Sequence, residues 1–234
     1  MARKKRRDDG SQSLLIVGTS QESPWDLLPK NIEQAVAQYF RRVVAMRNLM
    51  QQLFFAAKNA YEETSELTDL QQRMEKERSP NAEPDEEHQR LIDDTAAQMA
   101  YYEDGSNALI MLCDASLRRL GRSSRLHPRD YGVEAFNAVR LSEAIWALAN
   151  RYRHISEWRE TSLSQLKSNS TFKVLIKLDL DPMKDDAASQ VLRKVNFRSY
   201  RAFENALLSC AREMLPKGVA VTATAGSTSI TYTG

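Results

Sequence analysis

The side chains best suited to chemistry are concentrated in residues 148–158, Leu-Ala-Asn-Arg-Tyr-Arg-His-Ile-Ser-Glu-Trp. Trp146, Asn150, His154 and Trp158 follow one another at intervals of four residues. On a helix, side chains at that spacing stack into one row. Histidine is the side chain best suited to proton transfer near neutral pH. The row could therefore form a polar site for acid–base chemistry or for nucleic acid.

Two interpretations of this row stay open from the sequence. In the first, His154 transfers protons or contacts nucleic acid and is oriented by Asn150 or by a glutamate, either Glu143 or Glu157, each of which lies seven residues from Asn150. In the second, His154 caps a buried polar network, and the two tryptophans are packing residues. The discriminating property is whether the imidazole faces solvent or the interior.

The segment Ala149–Trp158 resembles a pattern found in uncharacterised bacterial all-helical proteins: Ala-Asn, two residues, Lys or Arg, His, two residues, Glu-Trp. The likeness covers roughly residues 90–216, and the ten-residue core is its specific part. That core also resembles the HEPN superfamily, whose ribonuclease members carry Arg, a polar residue and then His about a turn later. Asn150 and His154 match the polar and His positions, whereas Ala149 stands where those ribonucleases have Arg.

The HEPN resemblance implies two classes of function. One is an RNA-binding protein or metal-independent endoribonuclease of bacterial phage defence or toxin–antitoxin systems. In it, His154 moves protons while an RNA 2′-hydroxyl attacks the adjacent phosphate, and Asn150 and Arg153 hold that phosphate. The other is a non-enzymatic helical interaction subunit, antitoxin-like or a scaffold. A homo-oligomer or a protein partner is expected for either class.

Further residues are predicted to contact RNA. Arginines suit phosphate, and the aromatic and acidic residues beside the row complete the surface. The predicted RNA-binding residues are Arg151, Arg118, Arg119, Arg122, Glu157 and Trp158. The arginine cluster near Gly121 has an equally good structural explanation, because cations complement a helix C-terminus.

Composition limits the alternatives. The chain has 234 residues, of which 42% are hydrophobic, with 8 glycines and 7 prolines, which favours long helices. The formal net charge is only +2, so any nucleic-acid binding must come from a local patch. The sequence has no Gly-rich phosphate loop and no zinc-ligand spacing, so no metal and no cofactor are expected.

The sequence pattern predicts an all-α, up-and-down helical bundle with two long antiparallel helices and shorter C-terminal helices. Asn31, with Gln34 three residues later, marks the first helix start, and the second runs from Pro84 to Gly121. His127-Pro128 follows in a loop, where His127 is expected to be exposed but could fold over the site. Asp130 is expected to cap the helix that carries residues 148–158. That helix should bury a stripe made of Leu141, Ile145, Leu148, Tyr152 and Ile155.

The chain ends differ from this helical domain, which we place at residues 31–216. Residues 1–30 are predicted to be a basic arm and linker, in which Arg3–Arg7 either touches phosphates or is solvated. Residues 217–234 alternate in pattern and form either a small β-hairpin, a flexible tail or a strand for a partner's sheet. We expect no signal peptide and no membrane span, and a cytoplasmic setting in which Cys113 and Cys210 stay reduced.

Overall fold

The computed structural model describes residues 12–16, 31–77, 86–183, 187–194, 199–223 and 228–232. Its helices are α1 (Ile32–Ala45), α2 (Arg47–Glu77), α3 (Glu86–Ser124), α4 (Leu141–Glu160), α5 (Leu163–Leu166), α6 (Ser170–Lys177), α7 (Ala187–Lys194) and α8 (Tyr200–Arg212). Its strands are β1 (Gln12–Ile16), β2 (Glu134–Phe136), β3 (Val139–Arg140), β4 (Val219–Ala223) and β5 (Thr228–Tyr232). The predicted helical bundle is confirmed.

The two long helices α2 and α3 pack antiparallel. Ala57 of α2 lies against Gly105 of α3, and a Cβ atom at Gly105 would lie 3.7 Å from the Ala57 backbone nitrogen, so there is room for a methyl group at this contact. The first helix begins as predicted, since Oδ1 of Asn31 accepts a hydrogen bond from the Gln34 amide at 2.9 Å. The apolar pattern nevertheless spans two helices, because Met46 leaves helical geometry at φ −88° and ψ 1°.

Helix α4 begins ten residues later than the sequence pattern indicated, with Arg140 rather than Asp130 at the N-cap position. The prediction that Asp130 caps it is wrong, because residues 134–140 form the β2–β3 hairpin first. Asn137 and Ala138 take left-handed conformations at its turn, with φ of 48° and 59°. The Ser142 hydroxyl then lies within hydrogen-bonding distance of the carbonyls of Pro128 and Tyr131, which ties the preceding loop to the start of α4.

The main core lies where α1, α3, α4, α6 and α8 meet. Leu109, Ile145, Leu175 and Phe203 are among its fully buried side chains. Of the stripe predicted on α4, Leu141, Ile145 and Leu148 are buried and Ile155 is partly buried, but Tyr152 is 46% exposed. Beyond Ala149, Arg151 and Trp158 occupy the buried positions instead.

The chain ends meet in one antiparallel sheet of order β1–β5–β4. The predicted C-terminal hairpin is confirmed, with Val221 opposite Ile230 and both side chains buried. The prediction of a linker is wrong for residues 12–16, since β1 pairs with β5 as an edge strand. Five residues are enough for a strand when an existing hairpin supplies the partner. The basic run at residues 3–7 lies outside the described residues.

The two cysteines are buried and free of disulfides. Burial raises the pKa of the Cys210 thiol to about 12, and the same cause raises the pKa of Cys113. Both thiols are therefore protonated in the folded protein near neutral pH. In the part of the chain that the structure describes, no helix combines the length and the apolar character needed to cross a bilayer.

Two glycine-to-alanine substitutions should change stability in opposite directions. Gly132→Ala should lower the free energy of unfolding by about 1–3 kcal/mol, because φ is +98° and the new Cβ would lie 2.9 Å from Ser142 Oγ. Gly105→Ala should raise the free energy of unfolding by about 0.5–1 kcal/mol. The new Cβ would lie 3.7 Å from the nearest atom of Ala57, which is ordinary contact, and glycine is unfavourable within a helix. Urea unfolding of both variants measures the two shifts. Equal shifts would contradict the local geometry.

Candidate functional site

Helices α3 and α4 run antiparallel and bring two rows of polar residues together. On α3 the row is Asp114, Arg118 and Arg122, at steps of four residues. Across from it on α4, Arg153 lies beside Asp114 and Asn150 lies beside Arg118. Residues three or four apart lie about one turn apart on a helix, so successive residues of the α3 row lie beside successive residues of the α4 row.

A buried carboxylate joins the two helices. Asp114 is 1% exposed, and its Oδ2 atom lies 2.7 Å from Nε of Arg118 and 2.5 Å from Nη2 of Arg153. Both arginine side chains remain about one-third exposed. One buried negative charge is therefore compensated by two guanidinium groups that reach the surface.

Asn150 is held in place by the same arginines. Its Oδ1 atom accepts hydrogen bonds from Nη2 of Arg118 at 2.6 Å and from Nη1 of Arg153 at 3.3 Å. Its amide nitrogen donates to Thr171 Oγ1 at 3.4 Å. The acceptor oxygen is therefore already engaged, which suits a residue that positions the two arginines better than one that reacts.

His154 belongs to a different cluster from the other predicted catalytic residues. The structure brings Asn150 and Arg153 together, whereas His154 Nδ1 lies 3.1 Å from Glu157 Oε2. The His154 side chain is 47% exposed, so it faces solvent rather than a buried network. A carboxylate at that distance can orient an imidazole and select its tautomer.

Two predicted RNA-binding residues are buried. Arg151 is 3% exposed and its Nε donates to the carbonyl of Pro182 at 2.7 Å. Trp158 is 5% exposed and packs against Phe172, with ring centroids 6.0 Å apart. The prediction that these two side chains contact RNA is wrong for this conformation. Arg119, Arg122 and Glu157 are exposed as that role requires, and Arg118 is half-buried.

A cleft opens where α3 ends beside the start of α4. It has a volume of about 380 Å³, and three arginines of α3 and its C-terminal turn line it. Trp146, Tyr131 and His127 complete the wall, and no carboxylate of the described residues lines it. The arginines are Arg118, Arg122 and Arg125.

Arg122 and Arg125 bring charge that the protein does not neutralise. Both are exposed, and within the described ranges neither guanidinium has an ion pair. Arg125 has a left-handed backbone with φ 57°, which ends the helix at the mouth of the cleft. By contrast, Arg129 nearby is paired with Glu143, with 2.9 Å between Nε and Oε1.

His127 was expected to be exposed, and it is, but it also borders the cleft. Its ring lies edge-on to Trp146 with centroids 5.2 Å apart, and its Nδ1 accepts from the Arg129 amide at 3.3 Å. The sequence signal for this contact was the row of α4 residues itself. Trp146 is the first member of that row and lies beside the end of α3.

Asp114→Asn should destabilise the protein by about 1–3 kcal/mol. The change removes the charge that pairs with Arg118 and Arg153, and the partial exposure of both arginines limits the loss. Chemical unfolding measures it. Asp104→Asn, an exposed position on the same helix, is the matched control and should shift stability by less than about 0.5 kcal/mol. A similar loss of stability in both variants would show that the ion pairs of Asp114 do not hold α3 and α4 together.

No family model matches this chain, and neither does any of the curated proteins or solved structures compared with it. Among the described residues, no group of three or more His, Cys, Asp or Glu side chains could hold a metal ion. The cleft lined by Arg122, Arg125 and Trp146 is the arrangement on which we base a function.

Proposed function

We propose that the cleft between the end of α3 and the start of α4 binds single-stranded RNA. The observation that carries this proposal is the convergence of Arg118, Arg122 and Arg125 beside the half-buried indole of Trp146. Guanidinium groups match phosphate geometry, and an aromatic ring can stack on a base. The Arg129 guanidinium carbon lies 5.5 Å from the centroid of the Trp146 ring, so a base that stacks on that face displaces Arg129. A cleft of about 380 Å³ with one aromatic wall fits an unpaired strand better than a duplex.

The local charge supports the same proposal. Asp114 partly neutralises the charge of Arg118, and Glu143 does the same for Arg129. Neither arginine therefore adds its full positive charge to the cleft. Arg122 and Arg125 have no such compensation among the described residues. These two arginines therefore form a local positive patch at the cleft, in a molecule whose net charge is only +2.

Metal-independent cleavage is the chemical extension of this proposal. The 2′-hydroxyl attacks the adjacent phosphorus and loses its proton, and the departing 5′-oxygen gains one. His154 lies eight residues after Trp146, about 12 Å along α4 at 1.5 Å per residue. A strand that leaves the cleft along α4 would pass Asn150 and Arg153 before it reaches His154. Glu157 would orient the imidazole that transfers the protons.

A different observation favours the non-enzymatic alternative. Leu70 on α2 and Met99 and Tyr101 on α3 are 41%, 43% and 62% exposed. Exposed apolar side chains on neighbouring helices mark contact surfaces. Both functions fit a cytoplasmic protein, which the free thiols of Cys113 and Cys210 support.

The arginines of the cleft can be tested by binding of a labelled single-stranded oligoribonucleotide. Arg122→Gln and Arg125→Gln should each weaken binding by about tenfold and reduce the slope of log affinity against log salt by about one. Arg90→Gln is the matched control, because Arg90 is exposed on α3 far from the cleft and should have little effect. Unchanged affinity in both cleft variants would refute the proposal. Equal affinity for DNA of the same sequence would show that the strand, not the ribose, is recognised.

Cleavage is tested with a fluorogenic oligoribonucleotide in the presence of EDTA. His154→Ala should reduce the cleavage rate by at least about 10²-fold while binding stays unchanged, since the side chain is exposed and contributes little to the core. His127→Ala, at the cleft, should weaken binding and leave the rate of the bound RNA within a few-fold. Equal rates for wild type and His154→Ala would exclude His154 from proton transfer.

A further inference from the structure

The C-terminal half of α2 and the N-terminal part of α3 carry a second surface. It is separate from the cleft lined by Arg118, Arg122 and Arg125, which we call the basic cleft. The main core ends at Phe54 on α2 and Leu109 on α3, and Ala57 and Tyr102 form a small cluster beyond it. Past that cluster a groove of about 880 Å³ lies between the two helices. We call this surface the arm groove; it is lined by Glu66, Leu67, Leu70, Arg73, Asp94 and Tyr101, among others.

The α2 edge of the arm groove has a symmetric charge pattern. Glu66, Leu70 and Arg73 follow at steps of four and three residues, so they share one face of the helix. Leu70 stands in the middle with a negative charge on one side and a positive charge on the other. Glu66 and Arg73 are exposed, and neither makes an ion pair within the part of the chain that the structure describes. The Nε atom of Arg73 donates only to the carbonyl of Asp69, at 3.3 Å.

This pattern is complementary to itself. A two-fold axis near Leu70 relates two antiparallel copies of α2 and brings Glu66 of each next to Arg73 of the other. The two Leu70 side chains then meet at the centre and lose their contact with water. The α3 side of the groove leaves room for the second copy here, because Ala97 carries only a methyl group. A parallel alignment instead places Glu66 beside Glu66 and Arg73 beside Arg73.

We propose that the chain pairs with a second copy of itself through the arm groove, with the two α2 helices antiparallel about Leu70. Charge complementarity favours this occupant, since a second copy necessarily carries the matching pattern of one positive and one negative charge about Leu70. Leu70 and Tyr101, which are 41% and 62% exposed, provide the apolar area that the pairing covers. The pairing uses none of the residues of the basic cleft, so it is independent of RNA binding.

Charge reversal tests this pairing and its direction in the full-length chain. Light scattering should give twice the chain mass of 26.7 kDa for the wild type. Glu66→Arg or Arg73→Glu alone should weaken self-association by about tenfold or more, because symmetry converts two attractive contacts into two repulsive ones. The two single variants mixed together should associate again, and so should the Glu66→Arg/Arg73→Glu double variant.

The matched control is Gln72→Arg, which adds a positive charge two residues from Leu70, about 200° around the helix. It should leave the mass unchanged, and all three positions are exposed, so thermal unfolding of each separated monomer should stay the same. A wild-type chain that is monomeric at all concentrations overturns the proposal. A dimer that survives both single reversals, or variants that fail to recover on mixing, overturns the antiparallel pairing at Leu70.

Discussion

The arrangement of the site depends on one buried negative charge. Asp114 is almost completely removed from water, and a carboxylate in that environment is costly unless cations compensate it. Arg118, on the same helix, and Arg153, on the neighbouring one, both donate to its Oδ2 atom. The pairing fixes α3 and α4 in a register in which Asn150 lies between the two guanidinium groups. A shift of one turn would leave the carboxylate with a single partner.

The same pairing divides the arginines by role. Arg118 and Arg153 are needed to compensate Asp114, and Arg151 is buried in a hydrogen bond to the Pro182 carbonyl. All three make hydrogen bonds within the fold. Arg153 was predicted to be catalytic, and Arg118 and Arg151 were predicted to bind RNA. Arg122 and Arg125, at the end of α3, are left to present charge to solvent. Among these arginines, uncompensated charge therefore lies at the cleft beside Trp146 rather than in the segment around His154.

The sequence predicted the helices well, because their signals are local. The predicted capping residue Asn31 accepts the expected amide hydrogen bond, and Ser199 does the same at the start of α8. The β2–β3 hairpin was missed because Asn137 and Ala138 adopt left-handed geometry without the glycine that usually signals such a turn. The signal for Asp114 was present: it interrupts an apolar row on α3 and lies four residues before Arg118.

The burial of Arg151 could not be predicted from local pattern, because its hydrogen-bond partner is 31 residues away in the chain. The same holds for the pairing of β1 with β5, which joins the two ends of the sequence. Both features are set by which distant segments pack against a helix or hairpin. Periodicity reports which face of an element is apolar, and it does not report what covers that face.

The row from Trp146 to Trp158 shows how far a sequence spacing can be used to define a site. A step of four residues advances about 400° around a helix, so each member is rotated by about 40° from the one before. After three steps the row has turned by about 120°, which carries Trp158 from the side of the cleft into the contact with Phe172. His154 is rotated by about 80° from Trp146 and lies about 12 Å along the axis. No compact ligand can contact both residues, so any function that uses both requires an extended ligand that follows the surface of α4.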